Sequence, residues 1–129
     1  MMRRISAQYV FTTAGKPLKR AVVTAGDDGT VIAVEDTGGE LTESAGTEFY
    51  NGILIPGLVN CHSHLELSHM RDLIPGGGGL HRFILSVRDR REAGRDEIVT
   101  AAEKADREMF LGGVVACGDI SNNTLSFDI

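Results

Sequence analysis

The sequence predicts an α/β chain in which a small antiparallel sheet is followed by a strand–helix–strand unit. Three observations predict it. Up to residue 55, apolar and polar residues alternate in short runs broken by tight turns, the period of two of a half-buried strand. After Pro56-Gly57 the period changes, and two stretches carry apolar residues at helical spacing. Those stretches lie between Leu58 to Leu65, apolar at first and then carrying histidines, and Val114 to Ile120, which reads as a buried strand; strand, helical connection and strand suggest a parallel pair.

In the first run, Ile5, Ala7, Tyr9 and Phe11 alternate with Ser6, Gln8 and Thr12, so the four apolar side chains are expected on one inward face. Ala21 to Ala25 and Val31 to Val34 are rich in β-branched residues, and the Asp28-Gly29 step between them favours a hairpin turn. Gly38-Gly39 through Gly46 is polar and turn-rich and predicts a loop; Thr47 to Ile55 supplies one or two further strands. Pro75-Gly76-Gly77-Gly78-Gly79 predicts a flexible loop. Leu80, Phe83, Ile84 and Val87 then predict a helix stopped at Gly94. Ile98, Ala102, Ala105 and Met109 predict a second, with Asp96 as N-cap and Gly112-Gly113 as exit. Arg88, Arg90, Arg91 and Arg95 alternate with Asp89, Glu92, Asp96 and Glu97 and read as a mixed-charge helix face.

The 129 residues are 42% apolar and 24% charged, the composition of a globular chain. A net charge of −5 leaves no basic footprint for a nucleic-acid backbone. The longest apolar run, Ile53 to Val59, falls far short of the roughly 20 residues that cross a bilayer. Met1-Met2-Arg3-Arg4 has the charge of a signal-peptide start, but Ser6, Gln8, Thr12 and Thr13 interrupt the apolar stretch that should follow, so a cytoplasmic chain is expected. Cys61 and Cys117 make no disulfide framework and are expected to be small buried hydrophobes.

Chemistry concentrates in Pro56-Gly57-Leu58-Val59-Asn60-Cys61-His62-Ser63-His64-Leu65-Glu66. Residues two apart on a strand point to the same side, so His62 and His64 place two imidazoles a few ångströms apart, which suits two ligands of one metal ion. Alternatively, such a triplet is a pair of ordinary hydrogen-bonding side chains. The apolar run before it puts the pair at the C-terminal end of a strand, where a barrel enzyme builds its site. His81 and Arg82 follow the glycine loop and either cover a substrate or begin a solvated helix.

Ile55-Pro56-Gly57-Leu58-Val59-Asn60-Cys61-His62-Ser63-His64 resembles the first-strand motif of the amidohydrolase superfamily, and Ala21 to Asp36 is similar to the hairpin of the small β-sandwich with which its members begin. The flavour is that of the cytosine deaminase and chlorohydrolase-like branch, and His64-Leu65-Glu66-Leu67-Ser68 resembles the version in aminodeoxyfutalosine deaminase-like members. The resemblance implies a (β/α)8 TIM-type barrel preceded by a partial N-terminal β-sandwich, with residues 1–55 in the sandwich and residues 56–129 as the first barrel strands and helices. It implies a metal-dependent hydrolase of non-peptide C–N bonds that deaminates a small cyclic or nucleoside-like substrate. His62 and His64 would ligate one divalent ion, zinc or alternatively iron, which activates a water. Glu66 keeps parity with the histidines if the strand continues, and would contact substrate or support the ligands; otherwise it is a solvated carboxylate. His69 is a substrate contact or a loop histidine. Asp119 either hydrogen-bonds a ligand histidine and fixes its tautomer or caps a helix. The family's remaining ligands and acid/base residue come from later barrel strands, so the chain is expected to be the N-terminal portion of a longer enzyme and inactive alone. The alternative is an inert module associating through exposed strand edges. A small-molecule substrate, no nucleic acid, no membrane and a homodimer are the expected partners.

Overall fold

The computed structural model describes residues 2–40 and 45–129. The chain divides into two compact units, Met1–Pro56 and Gly57–Ile129. In the first, β1 (Arg3–Val10), β2 (Leu18–Lys19), β3 (Val22–Ala25), β4 (Val31–Glu35) and β5 (Thr47–Leu54) make one sheet. β1 is its hub. It pairs antiparallel with β3 through its first half and with β2 at Tyr9 and Val10, and parallel with β5. The hairpin between β3 and β4 turns where the Asp-Gly step places it. Gly26 N–H donates to the Thr30 carbonyl at 2.9 Å, the Asp28 carboxylate accepts the Thr30 N–H at 3.0 Å, and Gly29 sits at φ +82, a left-handed conformation that costs glycine nothing.

Two expectations for this unit are overturned. The sheet is mixed rather than antiparallel, because β5 returns parallel to β1. Ile5, Ala7, Tyr9 and Phe11 do not form one inward face. Ser6, Ala7 and Val10 are buried while Tyr9 is 48% exposed. Ser6 and Val10 share the face opposite to the expected one, and Ala7 is buried on the other; the pairing with β5 shifts register between Ala7 and Tyr9, with the extra residue in β5. Ser6 is tolerated inside because its hydroxyl donates to the Arg20 carbonyl at 3.2 Å. Of the loop expected from Gly38 to Gly46, residues 41–44 lie outside the described residues, as does Met1 of the charged start.

In the second unit, β6 (Leu58–Ser63) and β7 (Val114–Asp119) run parallel. Between them come a 3₁₀ segment (Leu65–Met70), α1 (Gly79–Arg90) and α2 (Arg95–Leu111). The order of strand, helices and strand is the one expected. Gly94 is the N-cap of α2, and Asp96 lies inside its first turn, where a carboxylate favours the positive end of the helix dipole. α1 ends at Arg90, short of the expected stop at Gly94. Leu65, Met70, Ile98 and Ala102 are the buried apolar residues, and α2 packs on the 3₁₀ segment. The two strands are not buried as expected: Val59 is 62% and Val115 63% exposed, because the sheet is only two strands wide. Cys61 is likewise exposed rather than a buried hydrophobe. A Cβ at Gly57 would lie 2.5 Å from both Val115 methyls, so the residue just before β6 must be glycine for the chains to approach here. Among the described residues, no helix is long and apolar enough to cross a membrane.

Candidate metal-binding site

The C-terminal end of β6 delivers both histidines. Asn60 Oδ1 accepts the His62 N–H at 3.2 Å, and the Ile120 N–H donates to the Ser63 carbonyl at 2.8 Å, so the backbone is held on either side of the pair. The rings meet edge to face, with centroids 4.9 Å apart and planes at 87°. Their Nε2 atoms are 3.2 Å apart. His64 Nδ1 lies 2.6 Å from the Ile120 carbonyl oxygen. A carbonyl only accepts, so Nδ1 carries a proton, and in the neutral ring Nε2 then presents a lone pair. The contact between the two Nε2 atoms is then satisfied in one of two ways, by a proton on His62 Nε2 or by a cation between the rings. Nitrogens at about 2.0–2.1 Å from a tetrahedral zinc lie about 3.3 Å from each other, so the observed spacing fits a shared cation. Both histidines are exposed and open to further ligands. Among the described residues, no group of three or more His, Cys, Asp or Glu is placed to hold a metal ion.

Glu66 departs from strand parity. The chain turns into the 3₁₀ segment after His64, and Glu66 is carried inward until only 2% is exposed. Its carboxylate accepts hydrogen bonds from Asn122 Nδ2 at 2.7 Å, Ser121 Oγ at 3.1 Å and Arg91 Nη2 at 3.3 Å. Burial alone pushes its pKa up, but the hydrogen bonds from Asn122 and Ser121 and the Arg91 charge outweigh that and hold the carboxyl below its usual range. It is therefore not a solvated carboxylate; both oxygens are engaged inside the unit.

His69 Nδ1–H donates to the Glu66 carbonyl at 3.0 Å, and its buried Nε2 has no partner. It lines a cleft of about 1000 Å³ with His64, Phe83, Lys104 and Met109. Asp119 reaches neither imidazole by hydrogen bond. Its Oδ1 accepts the Leu65 N–H at 2.7 Å and its Oδ2 the Ser126 hydroxyl at 2.7 Å. It thus satisfies the first N–H of the 3₁₀ segment from the neighbouring strand, and the tautomer-fixing contact expected of it is made by the adjacent Ile120 carbonyl. His81 and Arg82 are exposed in the first turn of α1. Sequence reasoning does not single out Ser121, Asn122 or Ser126, and it assigns Arg91 to a mixed-charge helix face. Glu66 and Arg91 are 25 residues apart, so no local spacing announces the pair.

No family model matches the chain. Over 102 residues it is 31% identical to the 5-methylthioadenosine/S-adenosylhomocysteine deaminase of Haloarcula marismortui, covering 77% of this chain and 23% of that protein. The crystal structure of Helicobacter pylori aminofutalosine deaminase in complex with methylthio-coformycin is similar with a TM-score of 0.75 at 21% identity, over 98% of this chain and 31% of that one. An amidohydrolase from Brucella melitensis gives a TM-score of 0.72 at 17% identity, over 92% and 26% of the two chains. Over the part it covers, the chain thus shares the fold of the two solved structures, and it spans between about a quarter and a third of the length of the proteins it matches.

Proposed function

We propose, from the premise that the chain belongs to the amidohydrolase superfamily, that it carries the first two metal ligands of a hydrolytic deaminase. On this reading residues 56–129 begin a (β/α)8 barrel, and residues 1–55 are part of the sandwich before it. The observation that carries the reading is the 3.2 Å approach of His62 Nε2 to His64 Nε2 at the end of β6. Likeness to a deaminase named for 5-methylthioadenosine and S-adenosylhomocysteine supports a nucleoside-like substrate with an exocyclic amine.

His62 and His64 would hold a divalent cation through Nε2, and their nitrogen donors suit zinc or iron. When bound, the cation supplies the Lewis acidity that lets water attack a carbon bearing an amino group at neutral pH. The chain's own residues prepare the donors. The Ile120 carbonyl keeps the proton on His64 Nδ1 and so leaves Nε2 free, and the Asn60 side chain fixes the backbone at His62. Glu66, committed to Arg91, Ser121 and Asn122, is not the proton shuttle. A catalytic zinc site takes three protein ligands, so on this reading at least one further ligand and an acid/base group complete the site that His62 and His64 begin.

Titration of the chain with Zn²⁺ tests the assignment. One ion should bind per chain, and His62→Ala and His64→Ala should each weaken binding more than about tenfold. Unchanged affinity in either variant overturns it. The 129-residue chain is expected to release no ammonia from 5-methylthioadenosine or S-adenosylhomocysteine; metal-dependent turnover by it would refute the view that the proton shuttle lies elsewhere.

A further inference from the structure

The residues at and beyond the end of β7 grip those at and beyond the end of β6 nearly one for one. The Ile120 N–H donates to the Ser63 carbonyl at 2.8 Å, and the Ile120 carbonyl takes His64 Nδ1–H at 2.6 Å. Asp119 takes the Leu65 N–H at 2.7 Å. Ser121 and Asn122 donate to Glu66 at 3.1 and 2.7 Å. Glu66 therefore holds the two residues that come directly after the carbonyl facing His64. Ser126 braces the same turn, donating to Asp119 at 2.7 Å and approaching the Ser121 hydroxyl at 3.5 Å. Glu66 is the one charged residue buried among the described residues, and it lies two positions from His64. A buried carboxylate persists where donors surround it, and these donors come from the loop after β7 and from Arg91 beyond α1.

We propose that Glu66 is a positioning residue: its carboxylate fixes Ser121 and Asn122 so that the Ile120 carbonyl keeps the proton on His64 Nδ1 and leaves Nε2 as a lone pair facing His62. Which ring nitrogen carries the proton is set by the hydrogen bond that the other makes. Releasing the carbonyl lets the proton move to Nε2, where it occupies the position a cation would need. The consequence for metal binding rests on the proposed function; the tautomer does not, since it requires no metal.

Long-range ¹H–¹⁵N spectra of the metal-free chain labelled at histidine read the tautomer directly. In the wild-type chain, His64 should show a protonated Nδ1 and an unprotonated Nε2. In Glu66→Ala, its signals should move towards the Nε2–H form, with exposed His81 on α1 unchanged, and Zn²⁺ affinity should fall about 10–100-fold. Asn122→Ala, which leaves Glu66 and Arg91 in place, should move them the same way by less. An unaltered His64 tautomer in a folded Glu66→Ala overturns the inference; if that variant does not fold, an unaltered tautomer in Asn122→Ala does so. A wild-type His64 protonated at Nε2 also overturns it. A wild-type chain with the Nδ1–H tautomer that binds no Zn²⁺ overturns the metal assignment and supports this one.

Discussion

Arg3 and Glu48 show how little a well-formed contact contributes when water surrounds it. Two hydrogen bonds, of 3.0 and 2.8 Å, join the guanidinium to the carboxylate, and the Tyr50 hydroxyl adds a third at 3.0 Å. Together they lower the Glu48 pKa from 4.5 to about 2, yet an exposed pair of this kind adds little stability. Arg3→Ala should raise the Glu48 midpoint from about 2 towards 4.5, the Tyr50 hydrogen bond still holding it below that value, read by carboxyl ¹³C shifts against pH. Glu66 is depressed too, with the same sign and a different setting. A carboxyl held low in the folded state stabilises above its unfolded pKa near 4.5, and that contribution is lost as pH falls through the folded value. Glu66→Gln should therefore flatten the acid side of the second unit's stability curve, followed by urea unfolding between pH 3 and 6. At this scale the two histidines were legible, because a spacing of two on a strand is geometry. Glu66 was not, because its parity argument needs the strand to continue past His64, and the chain turns there into a 3₁₀ segment.

Elements were legible where a period runs long enough to be read. The helical stripes around Leu80 and Ile98 identify α1 and α2, whereas β2 is two residues long and the 3₁₀ segment six, too short for any period to declare itself. Burial was the less legible property. An apolar run such as that of β6 says that a strand is fit to be covered; it does not supply the cover. Strand spacing also hides the demand on Gly57, which comes from a side chain 58 residues away. Gly57→Ala should destabilise the second unit by about 1–3 kcal/mol through overpacking against Val115, and Val115→Ala in the same background should recover much of it, measured by urea unfolding of the double-mutant cycle.

At the scale of the whole molecule, both units carry large apolar side chains in the open. Ile53 is 64% exposed in the first, and Val59, Val115, Phe110 and Leu111 are each more than half exposed in the second. Scattered exposure of this kind is ordinary, but on a two-stranded sheet with free edges it invites pairing. The 129-residue chain should therefore self-associate, its sedimentation mass rising with concentration; a constant monomer mass would count against it. The parallel pairing of β1 with β5 has a further consequence, in time. Arg4 pairs with Thr47 and Val10 with Leu54, so one whole edge of the opening strand finds its partner only after the unit is nearly complete. At about 5–20 residues per second, β1 leaves the ribosome roughly 2–9 s before β5 does, while the β3–β4 hairpin can close almost at once. During synthesis, a bare β1 edge is thus what a chaperone or a stray strand would meet first.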